Sequence, residues 1–415
     1  METNSSKHIR KKRILSVIII SLFFLWGMAN NMTDTLLYAF KQLLKMTGEE
    51  TYFIKFAFYV AYFCFSLPAF FFIKKHAYKN GIILGLMLYA GGAILFFPAA
   101  SFMSYAFYLT AIYVMAAGCA FLETVANPYI LSMEHNINDG IRKLNLAQSF
   151  NPAGTILGIL ICNFLVLDTL DAKTSITENM EIVKEELDTI TIIYAALGQI
   201  LLVFMMVLLF INVPSFESDT THDTSFFKSL KRLFNDRIFS VGLLTMFVYL
   251  GAQVGVWTFT TTTIEEVLGK THEQAANLYI IAIAFFMGGR FIFTFLMKYY
   301  RPQILLLVSA VGAFVCTITV MFSSGYVLLT ALIGISFLMS LMFATIFGCS
   351  MHNVRADRQL GGALMIMSIV GGAVITTVQD TVYQKLDVQS SFIIPALCFL
   401  IVIFFAVLLI PQKSQ

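Results

Sequence analysis

Twelve apolar stretches recur along the 415-residue chain: from Ile14 past Phe40, then near 52–73, 81–100, 105–133, 144–167, 190–212, 239–263, 274–297, 303–322, 325–350, 361–383 and 390–411. A helix needs about 20 apolar residues to cross the hydrocarbon core of a bilayer. In lipid, each backbone N–H and C=O must find its partner within the spanning structure, and stretches of this length do so only as α-helices. The expected fold is therefore all-α and polytopic. Composition agrees: 58% of the residues are hydrophobic and 12% charged, against about 25% charged in soluble domains. One or two anchors on a soluble domain are excluded.

The stretches fall as six, a polar connector, and six. The predicted organisation is a cytoplasmic tail over 1–13, a six-helix bundle over 14–212, a cytoplasmic connector over 213–237, a second six-helix bundle over 238–411 and a short tail over 412–415. The basic run Arg10, Lys11, Lys12, Arg13 before Ile14 has the charge of a signal-peptide n-region. The apolar run then continues without a small-residue cleavage site, so a retained first helix is expected.

Lys and Arg in the connections set orientation, because they favour the cytoplasmic side. Of the 27, the side shared with the N-terminus carries 19 and the other side 6, with Lys55 and Arg290 inside spans. Both termini are thus predicted to be cytoplasmic. The net charge of +3 is too small to argue for a nucleic-acid partner. The six cysteines stand singly in apolar stretches and read as core residues, neither disulfides nor metal ligands.

The second span ends in Lys74 and Lys75 and the eighth in Lys298, so the two halves end equivalent spans alike. Added to the six-plus-six layout, this weak repeat favours a two-bundle transporter over a channel.

Carboxylates are expensive at the bilayer centre, by about 2.5–3.5 kcal/mol on insertion scales, so those found there usually face a cavity. Two acidic residues lie well inside the apolar stretches, Asp34 and Glu123. Helical spacing places Trp26, Asn30 and Asp34 on one stripe, with Thr33 beside it, and Asn30 and Asn31 would be needless in a lipid-facing wall; the plainer alternative ends that helix near Asn31, with Asp34 among headgroups. Glu123 and Asn127 share a face, and Pro128 frees a carbonyl near Thr124; the plainer alternative is a protonated structural Glu. Asn145, Gln148 and Asn151 form a polar stripe along the fifth span, to bind substrate or to join helices by hydrogen bonds. Gln253 and Trp257, one turn apart in the seventh span, pair an amide with an aromatic ring as a sugar site would. Arg290 lies about 12 Å of helix before Lys298 and is read as a gating or interhelix contact.

The six histidines fall in tails or connections, so no intramembrane histidine relay or metal site is expected, and the GxxxxGK[ST] phosphate loop is absent. The energy source is then expected to be an ion gradient.

At these same residues the sequence resembles the L-fucose:proton symporter family of the major facilitator superfamily. The strings that carry the likeness are Phe23-Phe24-Leu25-Trp26-Gly27-Met28-Ala29-Asn30-Asn31-Met32-Thr33-Asp34, Leu122-Glu123-Thr124-Val125-Ala126-Asn127-Pro128 and Leu144-Asn145-Leu146-Ala147-Gln148-Ser149-Phe150-Asn151. The second half adds Gly251-Ala252-Gln253 with Trp257, Gly289-Arg290-Phe291, Thr345-Ile346-Phe347 and Ile394-Pro395-Ala396-Leu397-Cys398-Phe399. The resemblance implies two pseudo-symmetric six-helix bundles, with Asp34 and Glu123 as functional carboxylates tied to proton coupling and sugar binding. It places Gln148 and Asn151 on the central cavity. Where the family pattern leads one to expect Gln-Tyr-Pro, this chain has Met342-Phe343-Ala344. An amide and a hydroxyl are lost there, which keeps glucose, galactose and an amino sugar open beside L-fucose.

The expected function is a monomeric, proton-coupled monosaccharide importer of the bacterial inner membrane, working by alternating access without a cofactor other than the proton. Burial would favour the neutral form of Asp34 or Glu123 until a proton is released. Asn30, Asn31, Asn127, Gln148, Asn151 and Gln253 would bond sugar hydroxyls, with Trp257 or Trp26 against a ring face. A uniporter or sensor, or a drug:proton antiporter, would share the fold. A membrane enzyme is disfavoured because no nucleophile, base and orienting group cluster near a span end.

Overall fold

The computed structural model describes residues 17–28, 48–76, 78–102, 104–134, 136–162, 180–210, 225–354 and 357–410. Among these residues there is no strand, and ten helices are long and apolar enough to cross a membrane. The shorter apolar helix Val17–Met28 and a helix pair at 137–162 occupy the first and fifth span positions of the sequence. The architecture is that of an all-α, twelve-span membrane protein.

The chain divides into two compact units, residues 1–126 with 150–216, and residues 127–149 with 217–415. In the first unit lie α1 (Val17–Met28), α2 (Gly48–Lys75), α3 (Tyr78–Ile94), α4 (Phe96–Phe102) and most of α5 (Tyr105–Ser132). After the excursion into the other unit, α7 (Asn151–Cys162) and α8 (Met180–Phe210) complete it. Tyr89 on α3 donates to the Leu25 carbonyl of α1 at 3.2 Å. Phe96 on α4 stacks on Tyr194 of α8 with ring centroids 3.7 Å apart. Helices α1 and α7 touch backbone to backbone. A Cβ on Gly27 would overlap the Asn151 carbonyl, and one on Gly154 the Phe24 carbonyl. Such contacts need small residues because packing, rather than a hydrophobic driving force, joins helices in lipid.

The second unit contains α6 (Ile137–Gln148), α9 (Phe226–Asn235), α10 (Arg237–Leu268), α11 (His272–Leu296), α12 (Pro302–Phe322) and the broken span α13 (Gly325–Met339) and α14 (Met342–Ser350). It is completed by α15 (Arg358–Met367), α16 (Gly371–Lys385), α17 (Val388–Ser391) and α18 (Ile393–Leu409). Long helices start where their sequence supplies caps: Asp236 accepts from Phe239 N at 2.8 Å ahead of α10, and Thr271 with Gln274 forms a capping box at α11. Pro302 opens α12, where a missing N–H costs nothing. Helix α10 packs on α16 and α18, and α12 on α13 and α18, while α6 lies against α14 and α11.

The fifth span departs from expectation. Asn145, Gln148 and Asn151 do not share one helix, because the chain turns at Ser149 and Phe150 and restarts at Asn151. The cause is Pro152, which has no N–H to offer the Gln148 carbonyl four residues back.

Candidate functional site

In the first unit, apolar α5 carries Glu123 at 5% exposure. The phenol of Tyr62 on α2 donates to its Oε1 at 2.9 Å, and Tyr62 is itself buried. A phenol both donates and accepts, so the pair can stay hydrogen-bonded with the carboxyl charged or neutral. A buried carboxyl held in this way is suited to gaining and losing one proton without rebuilding its surroundings. Sequence alone does not single out Tyr62, because one tyrosine in the aromatic run Phe58-Tyr59-Val60-Ala61-Tyr62-Phe63 stands out by nothing local.

Trp26 is buried and stacks on Phe23, its ring centroid 4.7 Å away. Half-buried Asn151 at the head of α7 donates to the Phe23 carbonyl at 3.4 Å, and Thr155 to the Gly27 carbonyl at 3.3 Å. The α1 segment bearing Trp26 is thereby held to α7. Asn30, Asn31 and Asp34 lie outside the described residues. Lys74 and Lys75 form the exposed last turn of α2, where cations complement the helix dipole.

In the second unit, Gln148 at the end of α6 donates from Nε2 to Asn127 Oδ1 at 3.2 Å. The Asn127 Nδ2 atom is buried without a hydrogen-bond partner among the described residues. Arg290 is buried and bridges two helix interruptions. Its Nη1 donates to the Gln148 carbonyl and its Nε to the Ser340 carbonyl, at 3.0 Å, in the break between α13 and α14. Its guanidinium also lies 4.7 Å from the centroid of the Phe286 ring. Helix C-termini present unpaired carbonyls and partial negative charge, so one planar cation answers both. Arg290 thus ties α11 to the ends of α6 and α13.

Asn145 is buried on α6, and its Nδ2 faces Thr345 Oγ1 at 3.5 Å and Met297 Sδ at 3.6 Å. Met342, Phe343 and Ala344 are buried in α14, and Phe343 stacks on Phe347 at 6.2 Å. Gln253 is 8% exposed on α10, and Trp257, one turn on, meets Phe286 edge to face at 4.9 Å. The buried Trp257 Nε1–H has no hydrogen-bond partner among the described residues, leaving a donor beside an aromatic surface. No cluster of His, Cys, Asp and Glu that could hold a metal ion occurs among the described residues.

Residues 15–377 match the family model of the Major Facilitator Superfamily. The L-fucose-proton symporter of Haemophilus influenzae is 36% identical over 417 residues, covering 96% of this chain and 97% of that protein. A glucose/galactose transporter of Brucella abortus is 29% identical over 399 residues, covering 95% and 93%. Among solved structures, a variant of the Escherichia coli fucose:proton symporter FucP superposes with a TM-score of 0.83 at 33% identity, covering 97% of this chain and 99% of that one.

Proposed function

Because this chain belongs to the major facilitator superfamily, we propose that it is a proton-coupled sugar symporter, a secondary transporter and not an enzyme. The observation that carries this reading is the Glu123–Tyr62 pair, a buried carboxyl placed midway along an apolar span. The sugar is a monosaccharide, L-fucose or a related hexose, since similar proteins bear both L-fucose and glucose/galactose names. The apolar wall of Met342, Phe343 and Ala344 favours a hexose that needs no hydrogen bond from that side.

The protein works by alternating access of two six-helix bundles, 14–212 and 238–411, joined by the 213–237 connector. It resides as a monomer in the bacterial inner membrane with both termini cytoplasmic, as the charge bias supports. Asp34 and Glu123 carry the proton. Asn30, Asn31, Asn127, Gln148, Asn151 and Gln253 present hydrogen bonds to the sugar, and Trp257 or Trp26 presents a ring face. Arg290, Lys74 and Lys75 have gating or structural roles. No cofactor beyond the proton takes part. One proton entering down 100 mV supplies about 2.3 kcal/mol, which at about 1.4 kcal/mol per tenfold sustains roughly 40-fold accumulation.

The test uses proteoliposomes offered L-fucose, galactose, glucose and N-acetylglucosamine under an inward proton gradient. The expected result is concentrative uptake of one sugar, with alkalinisation of the medium on its addition. Sugar entry that moves no protons would make the protein a uniporter. Asp34→Asn vesicles that still concentrated sugar in response to the gradient would remove Asp34 from coupling.

A further inference from the structure

Helix α9 carries none of the transport residues, yet its surface is divided sharply. Ser229 and Leu233 are buried against the rest of the second unit, and Arg232 on that flank forks onto Asp357, with Nη2 to Oδ1 at 2.8 Å. Away from this contact, Phe227 is 75% exposed and Phe234 50% exposed, with half-buried Leu230 between them. The three fall at positions i, i+3 and i+7, one continuous apolar stripe. Lys228 and Lys231 are exposed beside it, and neither has an ion-pair partner among the described residues.

Position makes this stripe meaningful. A single residue, Asp236, separates α9 from the membrane span α10. Asp236 caps that span, and Ser240 Oγ in its first turn donates to the Phe234 carbonyl at 2.8 Å. The end of α9 is thereby fixed to the first turn of that span. Ten residues extend about 15 Å, so the helix stays near headgroup depth if it lies along the surface. An amphipathic helix with aromatic residues on its exposed face and lysines flanking them is built for an anionic membrane interface.

We propose that α9 is a docking surface for anionic phospholipid. Phe227, Leu230 and Phe234 enter the boundary between headgroups and acyl chains, and Lys228 and Lys231 meet the headgroup charge. Arg232 is committed to Asp357 and holds the helix in place. The proposal rests on the membrane-spanning reading of α10 and is independent of which sugar is carried.

Native mass spectrometry of the full-length protein, released from micelles holding phosphatidylglycerol and phosphatidylcholine, reads the lipid retained. The wild type is expected to retain phosphatidylglycerol preferentially, and Lys228→Gln/Lys231→Gln to lose that preference. Lys228→Arg/Lys231→Arg is expected to keep it. Phosphatidylglycerol should also raise the unfolding temperature of the wild type more than phosphatidylcholine does, and about 1 M salt, with a Debye length of about 3 Å, should abolish the difference. Equal retention of the two lipids by the wild type, as expected if a cytosolic protein covers the stripe, overturns the proposal. So does a Gln variant that keeps the preference. If that variant fails to fold, the wild type decides: a preference indifferent to salt overturns the proposal too. Uptake enters none of these readouts, so failure of the transport reading would leave the result intact.

Discussion

The guanidinium of Arg290 donates to the backbone carbonyl of Gln148, the carbonyl that Pro152 cannot use. The same side chain reaches the Ser340 carbonyl at 3.0 Å. Arg290→Met keeps the bulk but deprives two buried carbonyls of a donor, each worth about 1–3 kcal/mol when left unsatisfied. The unfolding temperature in detergent is expected to fall by several degrees. Arg290→Lys is expected to rescue only part of the loss, because an ammonium cannot reproduce the fork. A lysine variant as stable as the wild type would show that charge alone suffices.

Tyr62→Phe keeps the ring and deletes the 2.9 Å hydrogen bond to Glu123. A hydrogen bond to a charged group is worth about 1.5–3 kcal/mol, so gradient-driven accumulation is expected to fall about tenfold or more. Counterflow exchange, which needs no net proton movement, is expected to survive. Loss of both activities together would assign Tyr62 to folding or sugar binding instead of coupling.

Gly154→Ala and Gly27→Ala each drive a methyl group into a backbone carbonyl across the α1–α7 contact. Overpacking of this kind costs about 1–3 kcal/mol, and lower unfolding temperatures are expected for both. Gly91, on α3, supplies the control, since a Cβ there meets nothing within 4 Å. If Gly91→Ala is as damaging, loss of helical glycine is the cause and close approach is not.

Arg232 and Asp357 are unequal partners: the Arg side chain is 52% exposed and the Asp side chain 5%. Removing Arg232 strands a buried carboxylate, whereas Asp357→Asn leaves a guanidinium that water can solvate. Arg232→Ala is therefore expected to be the more destabilising by about 1 kcal/mol, a figure kept small because solvent screens the exposed partner. Thermal unfolding of the two single variants, in one detergent, ranks them directly.

Asp387 caps α17, and the Ser390 backbone N–H and hydroxyl hold its carboxyl below the usual carboxylate range. A depressed folded value means that its contribution is complete above about pH 3.9, the unfolded value, and is lost as pH falls through the folded one. Asp387→Ala is thus expected to lower the unfolding temperature equally at about pH 6 and pH 8, well above that window. A stability loss that shrank between those two pH values would mean that the carboxylate is not what caps the helix.

The spans themselves are legible because a run of apolar residues is a local property. Glu123 is legible for the same reason, since an acidic residue in such a run contradicts its neighbours. Tyr62 is not, because its meaning comes from a carboxyl 61 positions away on another helix. The polar stripe of Asn145, Gln148 and Asn151 reads along the sequence as one helical face, although the Pro152 that breaks it is adjacent.

By itself, the sequence determined the membrane-spanning class, the six-plus-six order and the rarity of charge within the spans, because lipid penalises each exposed polar group wherever it stands. Only the tertiary structure decided what those rare groups touch. Arg290 meets carbonyls 142 and 50 positions away, and Glu123 meets the phenol of α2. Such pairings depend on which helix faces are brought together and where helices break, and hydropathy along one chain does not encode either.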